Sequence, residues 1–209
     1  MQTLHTPQDA ARWLGQRGAG RLRTDSRQVQ RGDAFLAWPG ARHDGRLHAA
    51  HVLAQGAVAC LLEARDLPAM VDATSEGLAA YPQLKQASGL IAAAYYEQPS
   101  HRLDVVAITG TNGKTSSAWW LAQALTHLGR RCAMVGTLGM GEVQTDVHGL
   151  PCVMGPSTGL TTPDAVVFQG ALHDFVQAGV KACAVEASSI GLMEHRLEGT
   201  RVRVALFTN

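Results

Sequence analysis

Very little in this chain marks a polyanion binder, a secreted protein or a membrane protein. Its charges nearly cancel, with 18 Lys and Arg against 17 Asp and Glu and a formal net charge of +1. No global basic excess steers it to a phosphate backbone, which argues against nucleic acid as a main partner. Cysteine is scarce. The residues are Cys60, Cys132, Cys152 and Cys183, and none forms a C-x-x-C pair. Cys60, Cys132 and Cys183 lie in or beside apolar strand-like runs, as expected of buried thiols in a reducing compartment. Met1-Gln-Thr-Leu-His-Thr-Pro7 lacks the basic and apolar stretches of a signal peptide. No apolar run approaches the roughly 20 residues that span a bilayer. The expectation is a cytoplasmic protein without a membrane partner.

What is present is enough apolar material, 46% of 209 residues, for a real core in one or two domains. The most informative stretch is Val105-Val-Ala-Ile-Thr-Gly-Thr-Asn-Gly-Lys-Thr115. A strand-like run feeds a short glycine turn that ends in Lys-Thr, and a helix pattern follows from Ser116. This order of parts suits a nucleotide triphosphate. Glycines let the backbone approach the phosphates, amides at the helix start point at them, Lys neutralises the outer ones and the Thr hydroxyl reaches Mg²⁺. The usual pattern has four residues between its first Gly and Gly-Lys; only two separate Gly110 from Gly113. The general rule therefore fails and a shorter variant fits. The turn also differs from G-x-G-x-x-G, which carries no Lys-Thr.

Before about residue 100 the pattern predicts a small α/β domain. Asp33–Trp38 reads as a strand, Arg46–Ala54 as a helix with Leu47, Ala50, Val52, Leu53 and Ala54 inward, Ala57–Leu62 as a buried strand, and Gln86–Tyr96 as a helix. Gln98-Pro99-Ser100 is the expected boundary between domains 1–100 and 101–209. Beyond it the spacing predicts strand Asp104–Thr109, a helix to Leu128, strand Arg131–Gly136, and a long loop or hairpin over 137–160. A helix then opens at Pro163-Asp164, with Thr162 or Asp164 as cap. Strand Lys181–Glu186, a loop, and strand Arg203–Thr208 complete the pattern. Alternating strands and helices imply a mostly parallel sheet covered on both faces, hence an α/β fold. Val204–Asn209 runs as a strand to the last residue, so the chain is expected to be a fragment of a longer protein.

Several residues carry candidate chemistry. Glu186 ends a strand, where a carboxylate beside a phosphate loop suits Mg²⁺ or is an ordinary strand-end charge. Asp25-Ser26-Arg27 is either a polar turn or a contact for a diphosphate or base edge. Arg21, Arg23, Arg27 and Arg31 are either a solvated edge or anion ligands. Thr161-Thr-Pro-Asp164 resembles a helix entry, which also holds anions. His48 and His51 are expected to face solvent. Trp119-Trp120 and Tyr95-Tyr96 read as core or domain contacts.

Taken together, these residues resemble the Mur ligases, ATP-dependent amide-forming enzymes of peptidoglycan synthesis, and most of all the branch that adds the third amino acid. Thr109–Thr115 is similar to the family's short phosphate loop. Asp25-Ser-Arg27, Gly32–Ala37 and Asp44-Gly45 resemble its UDP-binding N-terminal domain, and Tyr95–Ser100 the end of that domain. Thr161–Asp164, Glu186–Leu192 and His195-Arg196 resemble its central domain. The resemblance implies that Gly110, Thr111, Asn112, Gly113, Lys114, Thr115 and Ser116 bind ATP, with Lys114 and Glu186 catalytic and Thr115 and Glu186 on Mg²⁺. Ser26 and the turn Ala41-Arg42-His43 would contact the UDP end of a UDP-N-acetylmuramoyl dipeptide. Thr161, Thr162, Ser188, Glu194 and Arg196 would contact its dipeptide end. The implied reaction makes an acyl phosphate that the amine of a diamino acid attacks, with meso-diaminopimelate expected over lysine.

There are departures from the family pattern. Leu160 stands where Asn is frequent, Glu194 where Gln is, and Ile190 where His is. The Asp-His segment that follows the last Thr-Asn in the family, its carbamylated lysine and its third domain lie outside these 209 residues. The expectation is a monomer that does not complete the ligation alone. The rival readings are another P-loop ATP-using enzyme, such as a kinase or nucleotide hydrolase, and a non-catalytic UDP-sugar-binding module.

Overall fold

The computed structural model describes residues 1–41, 43–69, 71, 74–145, 148, 150–155 and 159–209. Two compact units divide the chain at Tyr95/Tyr96. The first contains β1 (Gln2–Thr3), α1 (Pro7–Gln16), β2 (Leu22–Arg23), β3 (Ala34–Ala37), α2 (Ala49–Ala54), β4 (Ala59–Glu63), β5 (Leu78–Tyr81) and α3 (Leu84–Tyr95). Its strands form a parallel sheet in the order β1-β5-β4-β3-β2. Every residue of β3 is buried, so the period-two pattern serves both sheet faces. Phe35 and Ala37 meet Ala49 and Val52 of α2 in one cluster with Cys60 and Leu62. On α1, Thr6 accepts from the Asp9 amide at 3.1 Å, Pro7 stands in the first turn, and Ala10, Trp13 and Leu14 recur at helical spacing as the buried face.

Helix α2 is shorter than the sequence predicts. A 3₁₀ turn, Gly45–His48, precedes it and points Leu47 to solvent, while Ala50 and Ala54 are exposed. Asp44 starts that turn by accepting from the Arg46 amide at 3.0 Å. The Arg46 guanidinium is 5% exposed, pairs with Asp44 at 2.7 Å and donates to the Arg65 carbonyl.

The second unit contains β6 (Asp104–Thr109), α4 (Lys114–His127), β7 (Cys132–Gly136), β8 (Gly139–Thr145), β9 (Pro151–Met154), α5 (Ala165–Gln177), β10 (Ala182–Glu186), α6 (Ser189–Met193) and β11 (Val202–Phe207). The sheet order is β11-β6-β10-β7-β8-β9. The first four strands are parallel, and β7, β8 and β9 pair antiparallel. The sheet is thus mixed, and much of 137–160 forms the β8–β9 hairpin.

Alternation divides the central strands between two helices. Val105, Ala107, Ala133, Val135, Cys183 and Val185 pack with Phe168, Leu172 and Phe175 of α5. Ile108, Cys132, Met134, Ala182 and Ala184 pack with Ala118 and Ala122 of α4. Asp164 caps α5, its carboxylate accepting from the Val166 and Val167 amides at 3.0 and 3.1 Å. Two expectations are corrected here. Edge strand β11 is exposed along its length, so the sheet is not covered on both faces there. Trp120 is 67% exposed and lines an open groove with Gln123 and His127 of α4 and Val143, Gln144 and Thr145 of β8, so it is not a core residue. No described helix is long and apolar enough to cross a membrane.

Candidate functional site

The C-terminal ends of parallel strands β6, β7 and β10 meet at one edge of the second unit, the place where open α/β sheets hold ligands. Strand β6 delivers Gly110 at φ 135°, and Gly113 at φ 79° precedes the first turn of α4. At both positions a side chain would be strained, and a Cβ on Gly110 would stand 2.2 Å from the Thr208 hydroxyl. Thr208 donates to the Thr109 carbonyl at 3.1 Å. The Thr111 amide donates to the Asn209 carbonyl at 2.7 Å, and the Asn112 amide to the Asn209 side chain at 3.1 Å. Lys114 folds back over the turn, its ammonium donating to the carbonyls of Gly110 and Thr111 at 2.7 and 3.1 Å. Ser116 is exposed on the first turn of α4.

Thr115 points inward. Its hydroxyl donates to Glu186 Oε2 at 2.8 Å. Glu186 is fully buried. Its other carboxylate oxygen accepts from the Thr137 amide at 2.8 Å, and the Thr137 hydroxyl stands 3.3 Å from Oε2. Gly136 makes room for this side chain, since a Cβ there would lie 2.1 Å from Oε1. Among the described residues no cation pairs with this carboxylate; its partners are hydroxyls and an amide. A buried charge without a counter-charge is costly unless a ligand supplies one. The donor set, a hydroxyl and a carboxylate, is all oxygen, which suits Mg²⁺.

The predicted dipeptide-side residues gather around the same strand end. The Thr162 hydroxyl, fully buried, lies 2.6 Å from the Glu186 main-chain carbonyl and accepts from the Ser188 amide at 3.1 Å. The Ser188 hydroxyl lies 3.1 Å from it and caps α6 by accepting from the Gly191 amide at 3.0 Å. Arg196 donates to the Thr162 carbonyl at 2.7 Å. Thr161 lies 3.5 Å, hydroxyl to hydroxyl, from Thr137. Glu194, at the end of α6, is exposed. The segment after Glu186 is therefore not a plain loop, because Ser188 starts a short helix.

In the first unit, Ser26 opens a 3₁₀ turn whose cap, Asp25, binds the Arg27 guanidinium at 2.9 and 2.7 Å. Ser26 and Arg27 line an open groove with Val29, His48, His51 and Gln55. Ala41 and His43 are exposed on a turn closed by the Gly40 amide on the His43 carbonyl at 2.8 Å. Arg42 lies outside the described residues. Arg23 is held by buried Asp33 at 2.9 Å. Sequence reasoning missed Thr137. The signal was its place directly after an apolar strand that ends in glycine, at the C-terminal edge of a parallel sheet.

Residues 108–209 match the family model described as Mur ligase middle domain, and residues 21–96 the one described as Mur ligase family, catalytic domain. The UDP-N-acetylmuramoyl-L-alanyl-D-glutamate--2,6-diaminopimelate ligase of Acidovorax sp. (strain JS42) is 51% identical, aligning over 100% of this chain and 41% of its own length. The protein of the same name from Janthinobacterium sp. (strain Marseille) is 46% identical over 90% of this chain and 36% of its own. A solved structure of a ligase of that name superimposes with a TM-score of 0.68 at 28% identity, over 91% of this chain and 36% of the other. The chain thus spans well under half the length of these relatives. With both units matched by models of one family, the chain belongs to the Mur ligase family.

Proposed function

We propose that this chain holds the nucleotide and the acceptor of an ATP-dependent amide ligase, one that joins a diamino acid, meso-diaminopimelate, to UDP-N-acetylmuramoyl-L-alanyl-D-glutamate in the cytoplasm. The observation that carries the reading is the buried Glu186 carboxylate, 2.8 Å from the Thr115 hydroxyl at the start of α4 and without a cationic partner among the described residues. The relatives of similar sequence are named for this ligation.

Residues 110–116 would take the triphosphate, with the Lys114 ammonium leaving the Gly110 and Thr111 carbonyls for the outer phosphates. Thr115 and Glu186 would hold Mg²⁺. When bound, Mg²⁺ would neutralise charge on the phosphate oxygens. Thr161, Thr162, Ser188 and Arg196 would orient the D-glutamate carboxylate, with Glu194 at the margin. Ser26, Ala41, Arg42 and His43, in a domain spanning residues 1–100, would take the UDP end. In the proposed reaction a carboxylate oxygen attacks the γ-phosphorus and ADP leaves. The diamino acid's amine then attacks the acyl carbon, phosphate departs and the amine gives up a proton. The chain's share is positioning and charge neutralisation.

Calorimetry tests this on the chain itself. A non-hydrolysable ATP analogue with Mg²⁺ should bind, and Lys114→Ala should weaken it at least roughly tenfold, as expected for loss of a charge-assisted phosphate contact. UDP-N-acetylmuramoyl-L-alanyl-D-glutamate should bind and Arg196→Ala should weaken it. Nucleotide binding indifferent to Lys114, or no binding of the UDP-peptide, would overturn the reading.

A further inference from the structure

We propose that Thr137 is a positioning residue for the metal and phosphate site, acting through Glu186. The inference rests on the functional reading above and deepens it. A glutamate side chain has three rotatable bonds, and a lone carboxylate at a strand end would sample several directions. Here two groups of one residue fix it. The Thr137 amide donates to Oε1 at 2.8 Å and the Thr137 hydroxyl lies 3.3 Å from Oε2. That leaves Oε2 facing the Thr115 hydroxyl at 2.8 Å. Gly136 completes the arrangement, because a Cβ there would overlap Oε1 and drive the carboxylate away.

The Thr137 hydroxyl has a second neighbour, the Thr161 hydroxyl at 3.5 Å. It therefore stands between the carboxylate that would face a cation and the threonine pair assigned to the acceptor. Groups that orient a metal ligand without touching the metal tune affinity strongly.

The test measures Mn²⁺ binding by electron paramagnetic resonance in the presence of a non-hydrolysable ATP analogue. Nucleotide affinity in EDTA and a thermal melt are measured alongside. Thr137→Val keeps the branched shape and removes the hydroxyl; it should weaken Mn²⁺ roughly tenfold, the low end for an outer partner of a metal ligand. Metal-free nucleotide affinity and the melt should stay at wild-type values. Thr137→Ser should restore Mn²⁺ binding, and Gly136→Ala should weaken it even with the hydroxyl in place. If Thr137→Val binds Mn²⁺ as wild type does, or loses metal-free nucleotide equally, the positioning role is wrong while the site reading stands. If the unaltered chain shows no nucleotide-dependent Mn²⁺ binding, both are wrong.

Discussion

The Thr115 hydroxyl and the Glu186 carboxylate meet at 2.8 Å across 71 residues of chain. That contact joins the start of the helix after the phosphate loop to the end of the central strand β10. It also leaves a buried carboxylate whose partners among the described residues are hydroxyls and an amide.

That burial makes Glu186→Gln an informative change. Gln keeps the size, and its carbonyl oxygen can still accept from the Thr137 amide. Its amide nitrogen then faces the Thr115 and Thr137 hydroxyls, which rotate to accept. Removing an uncompensated buried charge should leave stability equal or raise it by about 1 kcal/mol. Divalent-cation support of nucleotide binding should disappear. Urea denaturation and Mn²⁺ titration check the two halves; a large loss of stability would mean that the charge has a counter-ion inside the fold.

Thr162 should matter more to the fold than its place in a predicted helix entry suggests. Its buried hydroxyl serves the Glu186 carbonyl, the Ser188 amide and the Ser188 hydroxyl. Thr162→Val removes all three and should cost about 1–3 kcal/mol, the range for stranding buried polar groups. Ser188→Ala should cost about 1 kcal/mol as a lost helix cap. Because the two share a hydrogen bond, the double variant should lose less than the sum. Chemical denaturation of the four proteins closes the cycle, and strict additivity would show that the two hydroxyls act independently.

The sequence read β6 residue for residue because Val105, Ala107 and Ile108 are all buried, and a continuous apolar run signals a strand covered by two helices. Helix α1 escaped notice because its buried Ala10, Trp13 and Leu14 sit in an otherwise polar stretch. Strand β5, Leu78-Ala-Ala-Tyr81, is half alanine and carries little strand preference. Strands β1 and β2 have two residues each, too few for any period to show. The phosphate loop was legible because its parts are consecutive. Thr137 was not, because its role comes from a contact to a residue 49 positions away that only the sheet order creates.

Acid should unfold the protein through carboxylates held by arginine. Hydrogen bonds from the Arg46 guanidinium lower the Asp44 pKa from its ordinary 3.8, and those from Arg131 lower the Glu142 pKa from its ordinary 4.5. Arg27 does the same for Asp25. For each, the folded pKa lies below the unfolded one, so the stabilisation is complete above the ordinary value. It is lost as pH falls through the lowered one. The urea midpoint should therefore be flat above about pH 5 and drop below about pH 4. Asp44→Asn should flatten part of that drop. A variant with the wild-type slope would remove Asp44 from the account.

Thiol reactivity should separate one cysteine from three. None of the four is in a disulfide. Burial in β4 pushes the Cys60 thiol up to about 12, burial in β7 pushes Cys132 up to about 11, and Cys183 in β10 is raised well above 9.0. Reaction needs a thiolate and access, and these three have neither in the folded state. Cys152 lies on the edge strand β9 and is only partly buried. A thiol-reactive dye at neutral pH should label one equivalent quickly, at Cys152 by peptide mass, and the other three only in denaturant. The slow sites also report how each sheet opens, since their labelling rates follow the free energy of exposing the strand. Cys60 belongs to the first unit and Cys132 and Cys183 to the second. Equal rates for all three would mean that the two units unfold together; faster labelling of Cys60 alone would assign the lower local stability to the first sheet.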